Sequence, residues 1–185
     1  MTKIILVRHG EASASWEESS DPGLSNLGIN QAEECSSILL KLEDIDNFDL
    51  KSSPLKRAIE TAEKLKIKLN KNLLIDPAFA EIPSPGVSLQ NRQQWLKEIF
   101  NQKVDELEKP QKNWHKKIIS EIKKIEKPTI IFSHFMVINT IVAHIEKNPS
   151  MVCFYPDNCS ITVLNKKENE IELLSLGNQL SSTIN

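Results

Sequence analysis

The sequence predicts an α/β fold built on a mainly parallel sheet. Three observations carry that expectation. Short apolar runs bounded by turn signals stand at 3–8 and 129–133, as buried strands require, and 48–52 is a further candidate strand. Segments with helical spacing of apolar residues lie between and after them. The alternation of the two persists through most of the 185 residues, and parallel strands need such helical crossovers. That length suits one domain with a substantial core better than two.

In chain order, residues 3–8 read as a central strand and Gly10 to Pro22 as a long polar loop. Ser25 is the expected N-cap of a helix carrying Leu27, Ala32, Cys35, Ile38, Leu39 and Leu42 at helical spacing. Residues 48–52 form the second strand. Ser53 followed by Pro54 predicts an N-cap and first helical position, with a helix to about Ile67. Leu73–Ile75 is a short strand, and Ala80 to Gly86, with two prolines, is loop. Amphipathic helices are expected over about 89–102 and 111–126, so that 84–127 makes a small helical excursion, a lid, from the sheet. The strand 129–133 leads into Phe135–Ile145, apolar almost all round and therefore a buried helix. Residues 160–165 and 171–176 read as two closing strands.

Composition narrows the function classes. A net charge of −2 gives no basic field for nucleic acid. The apolar runs are too short to cross a bilayer. The start, charged again at Arg8 after four apolar residues, reads as a strand and not as a secretory signal. Cys35, Cys153 and Cys159 lack paired spacing, which fits free thiols in a reducing cytoplasm. Only three of the 23 basic residues are arginine: Arg8, Arg57 and Arg92. The guanidinium fork binds phosphate bidentately where a lysine offers a point charge, so each position matters.

Four segments carry candidate chemistry. Arg8-His9-Gly10 falls just past the carboxyl end of the first strand, where open α/β sheets bind ligands. Gly10 permits close backbone approach there. A neutral imidazole is a competent nucleophile at physiological pH. Arg57 lies inside the helix that begins near Ser53, on side chains that lean toward a positive helix end. His134 follows the buried strand directly and opens the apolar helix, whose first N–H groups, Phe135 among them, are unpaired. Glu81, in a rigid proline loop, could serve as an acid; Glu11 and Asp76 compete for that role. Taken singly, each has a plainer alternative: a packed loop histidine, a surface arginine paired with Glu60 or Glu33, a core histidine, an exposed glutamate. His115, in a lysine-rich helix, reads as solvated. His144 sits near a helix C-terminus, where positive charge is favoured.

Jointly these segments resemble the histidine phosphatase superfamily, the phosphoglycerate mutase-like fold. LVRHGE at 6–11 resembles its nucleophile motif and SSPLKRAIETAEKL at 52–65 its second-arginine motif. GLSNLGINQAE at 23–33, IIFSHFMVINTIV at 130–142 and DNCSITVL at 157–164 are similar to its first helix, second-histidine segment and closing strand. The resemblance implies a three-layer sandwich, the sheet flanked by helices. It implies a phosphatase without metal or other cofactor, acting on a phosphorylated small molecule or a phosphoprotein. His9 would become a phosphohistidine, with Arg8, Arg57 and His134 on the phosphoryl oxygens, a donor from the Phe135 N–H, and Glu81 as general acid and base. A mutase-type phosphotransferase and a non-catalytic phosphate-binding protein on the same fold are the alternatives. Two positions depart from the family pattern: Phe135 stands where glycine is common, and Ser13 to Trp16 where mutases place an asparagine. Arg92, the remaining arginine, is expected to reach a second anionic group on the substrate. Glu11, Glu17, Glu18 and Asp21 would disfavour a heavily anionic one if they face the pocket.

Overall fold

The computed structural model describes residues 1–15, 18–168 and 170–180; Trp16 and Glu17, named above, lie outside them. Six strands form one mixed sheet in the order β3-β2-β4-β1-β5-β6. Their ranges are β1 Thr2–Arg8, β2 Asp49–Ser52, β3 Leu73–Ile75, β4 Thr129–Ser133, β5 Ile161–Lys167 and β6 Glu170–Ser175. The helices are α1 Asn26–Leu39, α2 Lys56–Leu69, α3 Leu89–Phe100, α4 Lys109–Lys123 and α5 Phe135–Ile145. Strands β1 to β4 run parallel, and β5 is antiparallel to both β1 and β6.

Period-two alternation sorts the strand residues between two cores. Ile5, Val7, Leu50, Ile130 and Phe132 pack against Cys35, Leu39, Ala62 and Leu65 of α1 and α2. Ile4, Leu6, Ile131 and Leu164 face the other way, onto Ile118 and Ile122 of α4 and Val137, Ile138 and Ile141 of α5. Burying each such aliphatic side chain is worth about 1.5–3 kcal/mol. The expected lid therefore divides. α4 belongs to the body, while α3 and the short 3₁₀ turn Val104–Glu106 build a separate cluster, in which Ile99, Phe100 and Val104 meet Phe135 and Met136.

Most elements match the expectation within a few residues, with three informative differences. Ser25 caps α1 as expected, accepting from the Gly28 N–H, but Leu27 and Ile38 are exposed and the buried face is Ala32, Cys35, Ser36 and Leu39. Ser53 does not cap α2. That helix starts at Lys56, whose N–H donates to Asp21 of the polar loop (2.9 Å), so the cap comes from elsewhere in the chain. A 3₁₀ turn at Pro77–Phe79, capped by Asp76, fills the space read as plain connection. No helix among the described residues is long and apolar enough to cross a membrane.

Candidate active site

Register alone brings the two histidines together. Arg8 of β1 pairs with Ser133 of β4, so the next residues, His9 and His134, emerge side by side. Their ring centroids are 5.1 Å apart. Ser52 of β2 pairs with Phe132, which sets Ser53 beside the same strand end. The Gly10 N–H donates to Thr61 Oγ1 (3.1 Å), and a Cβ on Gly10 would lie 2.6 Å from the Gly28 carbonyl oxygen. Glycine is thus required by close approach of the loop to α1.

His9 is held at both ring nitrogens. Nδ1 faces the Gly10 carbonyl at 2.6 Å, and Arg57 Nε–H points at Nε2 at 3.0 Å. An acceptor at one nitrogen and a donor at the other select a single tautomer, with the proton on Nδ1 and the lone pair on Nε2. Burial, then the charges of Arg57 and Arg8, drives the His9 pKa well below its ordinary value. The ring is accordingly neutral near pH 7, and Nε2 is able to attack an electrophile once Arg57 turns to a ligand.

Arg8 Nη1 donates to the Pro156 carbonyl (2.8 Å), and its guanidinium lies 5.5 Å from the centre of the Phe135 ring, a cation–π contact. Phe135 also stacks on Phe100 of α3. The bulky residue at the family's glycine position therefore backs Arg8 and joins it to the α3 cluster. His134 is fully buried, with Nε2 2.6 Å from Ser53 Oγ. Its pKa is also lowered well below the usual value, by burial first and then Arg57, His9 and Arg8.

Glu81 is buried, with Oε1 accepting from the Ile82 N–H (2.9 Å) and Oε2 from the Met136 N–H (3.4 Å). Burial raises its pKa, against the pull of those hydrogen bonds and of Arg57 and Arg8. A carboxyl so placed stays protonated to higher pH than a surface glutamate. At the start of α5, the Met136 N–H is the one that meets the Glu81 carboxylate. The competing acids are engaged otherwise. Glu11 accepts from the Ser25 hydroxyl (2.6 Å), and Asp76 caps its turn and pairs with Lys51 (3.4 Å). The suggested surface partners of Arg57 are engaged elsewhere too: Glu60 accepts from the Leu24 N–H, and Glu33 pairs with Lys64 and Lys68.

Arg8, His9, Arg57, Glu81, Arg92 and Asn158 line one cavity of about 290 Å³, closed on one side by the loop after β1. Arg92, from α3, donates to Ser84 Oγ (3.0 Å) and lines the cavity with Arg57, whose pKa is lowered by burial first and also by the Arg92 charge, against the pull of Glu81 and Asp21. Sequence reasoning passed over Ser53, Thr61 and Asn158, whose amide donates to the His9 carbonyl (3.1 Å). Their signal was the motif segments themselves, within which they were not singled out. His115, expected to be solvated, is half-buried, and burial lowers its pKa; burial and Lys123 lower that of His144, against the expected helix-end effect. Among the described residues no group of three or more His, Cys, Asp or Glu could hold a metal ion.

The histidine phosphatase superfamily (branch 1) model matches residues 4–179. The chain belongs to that superfamily and, with it, to the phosphoric monoester hydrolases. Among solved structures, it is similar to a phosphoserine phosphatase from Entamoeba histolytica in complex with 3-phosphoglyceric acid, at 25% identity and a TM-score of 0.73, covering 97% of this chain and 98% of that one. It shares the fold of YhfR from Bacillus stearothermophilus at 19% identity and a TM-score of 0.77, covering 98% of each. It likewise shares that of the mycobacterial glucosyl-3-phosphoglycerate phosphatase at 18% and 0.73, covering 97% of this chain and all of that one. No curated protein sequence matches the chain significantly.

The buried imidazoles leave a pH signature on stability. His9 and His134 are neutral when folded and titrate near pH 6.5 when unfolded, so below that pH the unfolded chain binds more protons. Their contribution is present above pH 6.5 and lost as pH falls, at up to about 1.4 kcal/mol per pH unit for each ring. His115 and His144 shift in the same direction. Glu81, with its raised pKa, works oppositely: its contribution is present at low pH and lost as pH rises. With the histidines outnumbering the one glutamate, the thermal midpoint should drop between pH 7.5 and 5.5. Calorimetry across that range checks this, and a flat profile would mean that the rings are not buried in the neutral form.

Proposed function

We propose that the protein is a metal-independent phosphatase that hydrolyses a phosphate monoester, on a small molecule or a phosphoprotein, through a phosphohistidine at His9. The observation that carries this is the pair of hydrogen bonds on His9, which leave its lone pair on Nε2 facing Arg57 in a cavity that Arg8 also lines. Nε2 attacks phosphorus, and the N–P bond forms as the P–O bond to the leaving group breaks. Arg8, Arg57 and His134 meet the charge that develops on the phosphoryl oxygens. Glu81 gives its proton to the leaving oxygen. Water then attacks the phosphohistidine, returns a proton to Glu81 and restores the imidazole. The guanidinium cluster supplies positive charge that a metal ion supplies in other phosphatases. Three free cysteines support a reducing, cytoplasmic setting.

Wild-type protein should release nitrophenol from para-nitrophenyl phosphate in EDTA. Glu81→Gln should retain most of the kcat/KM for that substrate, a ratio that covers only the phosphorylation of His9, since nitrophenolate leaves without a proton. It should lose about 10²–10⁴-fold on an alkyl phosphate, whose leaving oxygen needs one. No phosphate release by the wild type from any monoester in EDTA, or equal losses of kcat/KM on both substrates, would sink the reading.

Arg92 is proposed to hold a second anionic group of the substrate, because it shares the cavity with Arg57 across its width. The E. histolytica neighbour holds 3-phosphoglyceric acid, a phosphate ester with a carboxylate. Arg92→Ala should raise KM about tenfold or more for a phosphorylated acid and leave kcat unchanged. An unchanged KM removes that role.

A further inference from the structure

Ser53 is completely buried, and its hydroxyl oxygen has two contacts among the described residues. It accepts from the Leu55 N–H (3.2 Å) and lies 2.6 Å from His134 Nε2. The other nitrogen of that ring, Nδ1, is buried and has no hydrogen-bond partner among the described residues. A neutral imidazole carries one proton, and which nitrogen bears it follows from counting satisfied groups.

If Nε2 carried the proton and donated to Ser53, the serine proton would have no acceptor and Nδ1 would be a buried lone pair with no donor. Two groups would go unmet. If the Ser53 hydroxyl donates to Nε2 while accepting from Leu55, the serine is fully satisfied and the ring proton sits on Nδ1. One group, the Nδ1–H, is then unmet, and it is a buried donor on the ring packed beside His9. A phosphoryl oxygen on its way to His9 Nε2 would satisfy it. We infer that Ser53 is a positioning residue, whose hydroxyl donates to His134 Nε2 and holds His134 as the Nδ1–H tautomer, ready to donate to a bound phosphoryl oxygen. This rests on the proposed role of His134 as a phosphoryl ligand and explains why a serine read as a helix cap caps nothing: its hydroxyl is committed to the site.

The test is ¹⁵N NMR of histidine-labelled protein without substrate, wild type beside Ser53→Ala, with kcat and KM measured on para-nitrophenyl phosphate. In the wild type, His134 should show a protonated Nδ1 and an unprotonated Nε2. In Ser53→Ala that preference should disappear, while the His9 tautomer, set by Gly10 and Arg57, stays as it was. kcat/KM should fall about tenfold, a fraction of what loss of a whole donor brings. A protonated Nε2 in the wild type overturns the inference without any variant. So does an unchanged His134 tautomer in Ser53→Ala, or a changed tautomer with unchanged kcat/KM. Failure of the phosphatase reading looks different: the wild type would be inactive on every phosphate monoester whatever tautomer the spectrum records.

Discussion

His9→Ala is expected to lower kcat by about 10⁴-fold or more and to abolish phosphate labelling, as loss of a nucleophile does where the surrounding groups act as a unit. Nothing nearby can replace it. His134 is fully buried with Nε2 on Ser53 Oγ, and the thiols of Cys35 and Cys159 meet each other, Cys35 in the core. The fold should survive. Truncation leaves the Gly10 carbonyl and Arg57 Nε short of a partner, a loss of about 1–3 kcal/mol for each group that stays buried. It also removes an imidazole held neutral against two cations. A midpoint shift of about 2–4 °C per kcal/mol is what a chain of this size would register. The measurement is wild type beside variant: turnover, then quench and assay for phosphate that is stable in base and labile in acid. Label persisting in the variant would place the covalent intermediate elsewhere and end the role proposed for His9.

Much of the site was legible because each member stands at a predictable break. His9 and His134 follow apolar runs that can only be buried strands, and Arg57 follows a Ser-Pro that had to end one. What sequence could not supply was register. Only the pairing of Arg8 with Ser133 makes two strand ends into one site. Long-range polar contacts were equally hidden. Asp21 caps α2 from 35 residues away, and Ser53 is drawn from its local duty by a histidine 81 residues on. Local propensity assigns a serine before a proline to a helix cap, and a tertiary hydrogen bond overrode it. Periodicity also misled within α1, where Leu27 and Ile38 fit a helical stripe but stand in solvent, because the buried side is made of smaller residues. The 3₁₀ turn at 77–79 left no trace that spacing could detect, since three residues are too few to show a period.

Phe135, read in the sequence as a departure from the family pattern, acquires its structural role only in three dimensions. An aromatic ring where the family commonly has glycine does not obstruct the cavity; it lies behind Arg8, and its far side belongs to the α3 cluster. The same segment that carries Arg92 into the cavity thus stacks on the residue that braces Arg8. Movement of α3 would be felt at both Arg8 and Arg92.

Arg57→Lys should be nearly as damaging as Arg57→Ala, each lowering kcat/KM by about 10²–10³-fold, the loss typical of a preorganised donor to a developing charge. Charge alone is not what the position supplies. In the resting site Arg57 uses Nε–H toward His9 Nε2 and is one of the residues that line the cavity. When a phosphoryl group arrives, the fork can exchange the imidazole for oxygens without leaving its place, and the lone pair is released as the electrophile reaches it. An ammonium is a single point on a flexible stem and cannot reproduce that geometry. The two variants separate in their pH profiles. Arg57 is the largest charge holding the His9 pKa down. Arg57→Ala removes it, so the acid limb of kcat/KM, below which His9 is protonated and unreactive, should move to higher pH. Arg57→Lys keeps a positive charge and should leave that limb close to the wild-type position. Steady-state kinetics from pH 5 to 8 on both variants decide the matter. A lysine enzyme with near-normal kcat/KM would reduce Arg57 to a point charge, and an alanine enzyme with an unmoved acid limb would detach it from His9 altogether.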